Sequence, residues 1–163
     1  MIYLLYGEDD YSLREHLASI KDRVEPPDLR DVNTTVLDGA ETSLDELTAT
    51  CDTVPFLAER RLVVVDGLLA LFERRAPSRS GAGGRDQGPG LDQWQRLPDY
   101  LEGVPESTDL VFVDGRLTGA NRLLAALRPH ATVRTFPRPG AGGVRQWIRS
   151  RVATEGIEIE PRA

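Results

Sequence analysis

Five short apolar runs punctuate the chain with little polar alternation: residues 2–6 (IYLLY), 34–37 (TTVL), 62–65 (LVVV), 110–113 (LVFV) and 131–136 (ATVRTF). A strand with one wet face alternates apolar and polar residues, whereas a continuously apolar strand needs cover on both faces. Helices packed on either side of a parallel sheet supply that cover. The intervening segments have helical spacing. Leu13, Leu17, Ile20 and Val24 fall on one helix face, with Ser12 and Glu15 spaced as a capping box. Ser43 and Glu46 repeat that box ahead of Leu44, Leu47 and Cys51, and Leu123, Leu124 and Leu127 line a further helix. The expected order is β-α-β-α-β-α-β-α-β, an α/β three-layer sandwich around a five-stranded parallel sheet.

Two stretches break this rhythm. Residues 76–90 (APSRSGAGGRDQGPG) hold too few apolar groups to offset the entropy of ordering, which predicts a flexible loop. Residues 137–143 (PRPGAGG) predict a boundary near 139. Beyond it Val144, Trp147, Ile148, Arg151 and Val152 give a helix face, with Gly156 at its stop and Pro161 opening another helix. The organisation expected is one α/β domain over 1–139 and the start of a truncated helical domain over 140–163.

Charge and composition narrow the chemistry. A net charge of −6 argues against a surface that condenses on phosphate backbones, so direct binding to nucleic acid is not expected. Met1 to Pro55 carry 4 Lys plus Arg against 13 Asp plus Glu, which reads as a solvated acidic face. Only Lys21 among the 20 cations is a lysine, leaving almost no candidate for a phosphate-binding or Schiff-base lysine. The lone Cys51 reads as a buried thiol in a reducing compartment. No apolar run reaches the roughly 20 residues that span a bilayer, and MIYLLYGEDD has no basic start of a signal peptide. A cytoplasmic protein with no membrane partner is expected.

A phosphate loop after the first strand fails, because Gly7 is followed by Glu8, Asp9 and Asp10, with no second glycine and no lysine. Asp38-Gly39, Asp66-Gly67 and Asp114-Gly115 end three strands at the carboxyl edge, where α/β proteins place their sites. Such carboxylates can hold Mg²⁺. They also end strands by bonding local backbone, and without an accompanying phosphate binder the structural role is favoured. A receiver-like phosphoacceptor domain using Asp66, with Asp9 and Asp10 on the metal, is the enzyme-like alternative. It lacks the hydroxyl after the fourth strand, where Asp114 stands, and the lysine after the fifth. His16 and His130 sit near no nucleophile motif, and one Cys with two distant His cannot make a zinc site. No cofactor, metal or nucleotide site is therefore expected. Pro55, Phe56 and Leu57 remain, an apolar knuckle where a loop is ordinarily polar. Phe56 is either tucked into the core or an exposed anchor for a partner's pocket.

Taken together, YLLYGEDDYSL at 3–13, TVPFLAERRLVVV at 53–65, STDLVFVD at 107–114 and WIRSRV at 147–152 resemble the delta subunit of the bacterial DNA polymerase III clamp loader. The resemblance is collinear over nearly the whole chain apart from the Gly-rich loop, spanning that family's first domain and the opening of its lid domain. It implies an AAA+-like fold that lacks the phosphate loop. It further implies a replication subunit that binds and opens the ring-shaped sliding clamp, the beta subunit, with no ATP hydrolysis of its own. Within the DNA-directed DNA polymerase holoenzyme, a nucleotidyltransferase complex, the full-length subunit joins the other loader subunits and meets DNA only through the assembled complex. The loop matching Pro55, Phe56 and Leu57 enters the clamp's hydrophobic pocket in that family, with Phe56 as the principal plug. Pro55 stands where some members have Leu. Because the chain stops before the family's collar, it is expected to bind the clamp without joining a stable loader alone.

Overall fold

The computed structural model describes residues 1–73 and 93–138, so the expected loop at 76–90 and the expected second domain at 140–163 lie outside the described residues. The five apolar runs form five strands: β1 (Ile2–Gly7), β2 (Thr34–Asp38), β3 (Arg61–Asp66), β4 (Thr108–Asp114) and β5 (Thr132–Phe136). They pair in the order β2-β3-β4-β1-β5, and every pairing is parallel. Among the described residues four α-helices accompany them: α1 (Asp10–Lys21), α2 (Leu44–Asp52), α3 (Leu97–Leu101) and α4 (Arg122–Leu127). Tight helical turns at Leu69–Phe72 and Gln93–Arg96 precede α3.

Two cores lie on opposite faces of the sheet, which makes the three layers. On one face Leu4, Val63, Val65, Leu110 and Phe112 meet Leu44, Leu47 and Cys51 of α2, Leu97 and Leu101 of α3, and Leu123, Leu124 and Leu127 of α4. On the other, Tyr3, Leu5, Leu62, Val64 and Val111 meet Leu13, Leu17 and Ile20 of α1, with Val24 just beyond it. Each fully buried Leu or Phe of this kind contributes roughly 1.5–3 kcal/mol of transfer free energy. The continuous apolar character predicted burial on both faces for all five strands, and that holds for the central three. β2 and β5 are edges. Val36 of β2 and Thr132 and Arg134 of β5 lie on the α1 face and are exposed, because among the described residues α1 is the one α-helix in that layer and covers the middle of the sheet, while Thr135 is exposed on the opposite face.

The first capping box is displaced. Asp9, not Ser12, caps α1: its carboxylate accepts the Ser12 N–H at 3.1 Å and the Ser12 hydroxyl at 2.7 Å, so the helix begins before Ser12 rather than after it. Ser43 does cap α2, accepting the Glu46 N–H, and Asn121 caps α4 through Leu124. At Gly7 a Cβ would sit 2.0 Å from the Phe136 carbonyl oxygen, so only glycine lets β5 close against the end of β1.

Two buried carboxylates brace the ends of the sheet. Asp109 in β4 takes a two-pronged contact from Arg60, Nε to Oδ2 at 3.0 Å and Nη2 to Oδ1 at 2.8 Å, and lies 3.2 Å from the Met1 amino group. Burial alone would raise its pKa, but Arg60 and the amino group outweigh burial and hold it below the usual carboxylate range. At the other end of β4, Asp114 accepts the Leu69 N–H at 3.0 Å and the Ala70 N–H at 2.9 Å. Burial there wins over those two donors, and with Asp66 and Glu73 adding like charge it pushes the Asp114 carboxyl up to about 6.

Arg60→Ala leaves Asp109 buried without its fork of donors, and a loss of about 2 kcal/mol is expected in denaturant unfolding; an unchanged midpoint would remove the pair from the account of stability. For Asp114 the folded-state pKa lies above the ordinary 3.8, so the folded state binds the proton more tightly. The stability of wild type relative to Asp114→Asn is therefore greatest below about pH 4 and declines as pH rises through about 6. A difference that stays flat across that window would contradict the assignment.

Candidate functional site

In a parallel sheet every crossover returns from the carboxyl edge to the amino edge, so the chain between α2 and β3 emerges at the amino edge. The apolar knuckle lies there. Phe56 is 57% exposed and Leu57 76% exposed, Val54 is exposed as well, and Pro55 is half-buried. Of the two alternatives for Phe56, the structure has the exposed one. Val32, also exposed, immediately precedes the residue that holds this loop.

The loop is held by three buried side chains from neighbouring elements. Arg61, 7% exposed at the start of β3, donates from Nη1 to the Thr53 carbonyl at 3.0 Å and from Nη2 to the Thr35 hydroxyl at 3.2 Å. Thr108 donates to the Cys51 carbonyl at 2.7 Å, so the free carbonyls at the end of α2 are occupied as the chain turns out into the loop. Asn33, 2% exposed just before β2, accepts the Phe56 N–H at 2.7 Å and donates to the Phe56 carbonyl at 2.9 Å. Leu57 then adopts φ +49°, a left-handed conformation that costs a branched residue about 1–3 kcal/mol and persists only where the surroundings impose it. Beside the loop runs an open groove of about 750 Å³ lined by Pro55, Leu57 and Ala58, with Arg23 and Arg60 among its charged walls.

The carboxyl edge, where sequence reasoning looked for chemistry, is occupied by its own backbone. The Gly39 N–H donates to the Asp66 carbonyl at 2.7 Å and the Gly67 N–H to the Val113 carbonyl at 2.9 Å, carrying the ladders past the strand ends. The Asp38 carboxylate accepts the Ala40 N–H at 2.8 Å, and Asp114 holds the turn at Leu69–Phe72. Asp66 is exposed, and among the described residues no group of three His, Cys, Asp or Glu is arranged to hold a metal ion. Asp9, the candidate metal or phosphate neighbour, is committed to capping α1, and its bonds to Ser12 hold its carboxyl below the usual range. His16 packs near Phe136 with ring centroids 5.9 Å apart, its pKa lowered by burial and by Arg134 and Arg23. Cys51 is buried as expected, and burial pushes its thiol up to about 11, leaving it unreactive.

Sequence reasoning found the apolar knuckle but not what holds it. In DVNTTV, Asn33 reads as an ordinary turn residue, and in ERR, Arg61 reads as part of a solvated charge run. The available signal was that Asn33 directly precedes a strand and Arg61 opens one, where a buried polar side chain must find partners.

Comparison with known proteins locates this geometry in a family. The model for the family described as DNA polymerase III, delta subunit, matches residues 3–136. Among curated proteins, DNA polymerase III subunit delta of Bacillus subtilis (strain 168) is 41% identical over 64 residues, 39% of this chain and 18% of that protein. The solved structure of the Bacillus subtilis DNA clamp loader delta protein superimposes with a TM-score of 0.71 at 25% identity, covering 94% of this chain and 43% of that one. A gamma subunit-related protein of DNA polymerase III from Thermotoga maritima shares the fold, with a TM-score of 0.56 at 16% identity, covering 92% of this chain and 45% of that one. The chain thus spans less than half the length of these relatives. With the family match running from β1 through β5, this chain belongs to the DNA polymerase III delta subunit family.

Proposed function

We propose that this chain is the clamp-binding part of a clamp-loader delta subunit, which engages the sliding clamp through Phe56, assisted by Pro55 and Leu57, and hydrolyses no ATP itself. The observation that carries the proposal is an aromatic side chain left exposed on a loop whose backbone is fixed by buried Asn33 and Arg61. An isolated exposed Leu is ordinary on protein surfaces, but adjacent exposed Val54, Phe56 and Leu57 on a held loop fit a partner's hydrophobic pocket. Inserting the plug at one interface of a ring-shaped clamp favours the open ring, because the plug binds the open form more tightly than the closed one.

The amino end of α1 supports the absence of ATP chemistry. A helix N-terminus after the first strand is the ordinary phosphate cradle of such folds, and here Asp9 fills it with its own carboxylate, flanked by Glu8 and Asp10. A nucleotide would have to displace that cap and face three carboxylates. The receiver alternative finds less support: Asp66 has no neighbouring hydroxyl from β4, because buried Asp114 takes that position and bonds backbone instead. The chain acts, on this reading, as a part of the polymerase holoenzyme that needs no cofactor, meets DNA only through the other loader subunits and works in the cytoplasm. No helix among the described residues is long and apolar enough to cross a membrane.

Titration against the organism's own sliding clamp tests the plug. Phe56→Ala is expected to weaken binding at least about thirtyfold, the loss of a buried aromatic anchor worth about 2 kcal/mol or more; equal affinity of mutant and wild type would refute it. Mg²⁺-ATP at millimolar concentration is expected to leave the thermal midpoint unmoved, whereas a rise of several degrees would reveal a nucleotide site.

A further inference from the structure

We propose that Asn33 is a positioning residue for the clamp-binding loop: its side-chain amide grips the Phe56 peptide on both sides, so the ring points outward before any clamp arrives. The proposal rests on the clamp-binding reading of Phe56 and adds how that residue is made ready. The grip is a closed pair of hydrogen bonds, Phe56 N–H to Oδ1 at 2.7 Å and Nδ2 to the Phe56 carbonyl at 2.9 Å, across 23 residues of sequence. The second proton of Nδ2 goes to the Leu29 carbonyl at 3.0 Å. That third bond fixes the orientation of the amide, since turning it over would set Oδ1 against two carbonyl oxygens and Nδ2 against an N–H.

The anchor is itself immobile. The Asn33 N–H donates to the Leu29 carbonyl at 3.1 Å, and its own carbonyl accepts the Leu62 N–H at 2.8 Å, so its backbone is locked between the preceding turn and β3. Side-chain chemistry explains why asparagine stands here. Aspartate could accept from Phe56 but would press a carboxylate on the Phe56 and Leu29 carbonyls, and glutamine reaches one methylene too far. With both polar backbone groups of Phe56 used inward, its side chain is left to solvent, and Leu57 is forced into its left-handed turn just beyond. The entropy of ordering the loop is thereby lost during folding rather than on contact with the clamp, and that difference appears as affinity.

Two measurements test this together. In the wild-type protein without clamp, amide hydrogen exchange should find Phe56 slowed at least about a hundredfold relative to a free peptide, although it lies in an exposed loop. Exchange at the free-peptide rate would overturn the proposal, and no variant has to fold for that result. In clamp titrations, Asn33→Ala should weaken binding about tenfold in the wild-type background and less than about twofold in a Phe56→Ala background, because it acts through Phe56. An equal loss in both backgrounds would mean that Asn33 merely stabilises the domain and would overturn the proposal. If wild type itself fails to bind, the clamp-binding reading falls, and exchange at Phe56 still decides whether Asn33 fixes the loop.

Discussion

The parallel pairing of five strands, three of them covered on both faces, is the constraint from which the rest follows. Because every strand runs the same way, the molecule has two unlike ends. Loops after strands collect at the carboxyl edge, and loops before strands collect at the amino edge. Ligand sites of open α/β sheets ordinarily use the carboxyl edge. Here that edge is filled by its own Asp-Gly turns, by Asp114 beneath the Leu69–Phe72 turn and by Asp9 on the start of α1. The exposed apolar cluster of Val32, Val54, Phe56 and Leu57 lies at the opposite end, where Asn33, Arg60 and Asp109 stand close to the starts of β2, β3 and β4.

The amino edge is braced by side chains from several strands. Asp109 draws Arg60 and the Met1 amino group onto the start of β4, Arg61 holds Thr53, and Asn33 holds Phe56. Asp109, Arg61 and Asn33 are buried, and their chief effect is geometric. Buried polar networks add little net stability compared with apolar packing, but they permit few alternative arrangements. A loop held in that way can keep a left-handed leucine and an exposed phenylalanine that a free loop would relax.

How much of this was legible follows from what periodicity can carry. The strands were visible because β-branched runs between turn residues admit few other structures, and Ser43 announced α2 through its spacing to Glu46. The start of α1 is not legible locally, because Asp9 and Ser12 are both good caps and the bond that ties the Asp9 N–H to the Phe136 carbonyl of β5 is long-range. The exposure of β2 and β5 depends on strand order, which residue composition does not encode. Pro55, Phe56 and Leu57 stood out as apolar residues in a loop, yet their outward placement was undecidable locally, because it is set by Asn33, more than twenty residues earlier in the chain.

The most direct test of this account is an amide NMR titration of the protein with its organism's sliding clamp, because it reports which end of the sheet makes contact. Perturbations concentrated at Val54, Phe56 and Leu57 and at Val32 and Asn33 are predicted, with Gly7, Asp66 and Gly115 unmoved. Perturbations centred on the carboxyl edge instead, with Phe56 unaffected, would contradict the assignment of function to the amino edge.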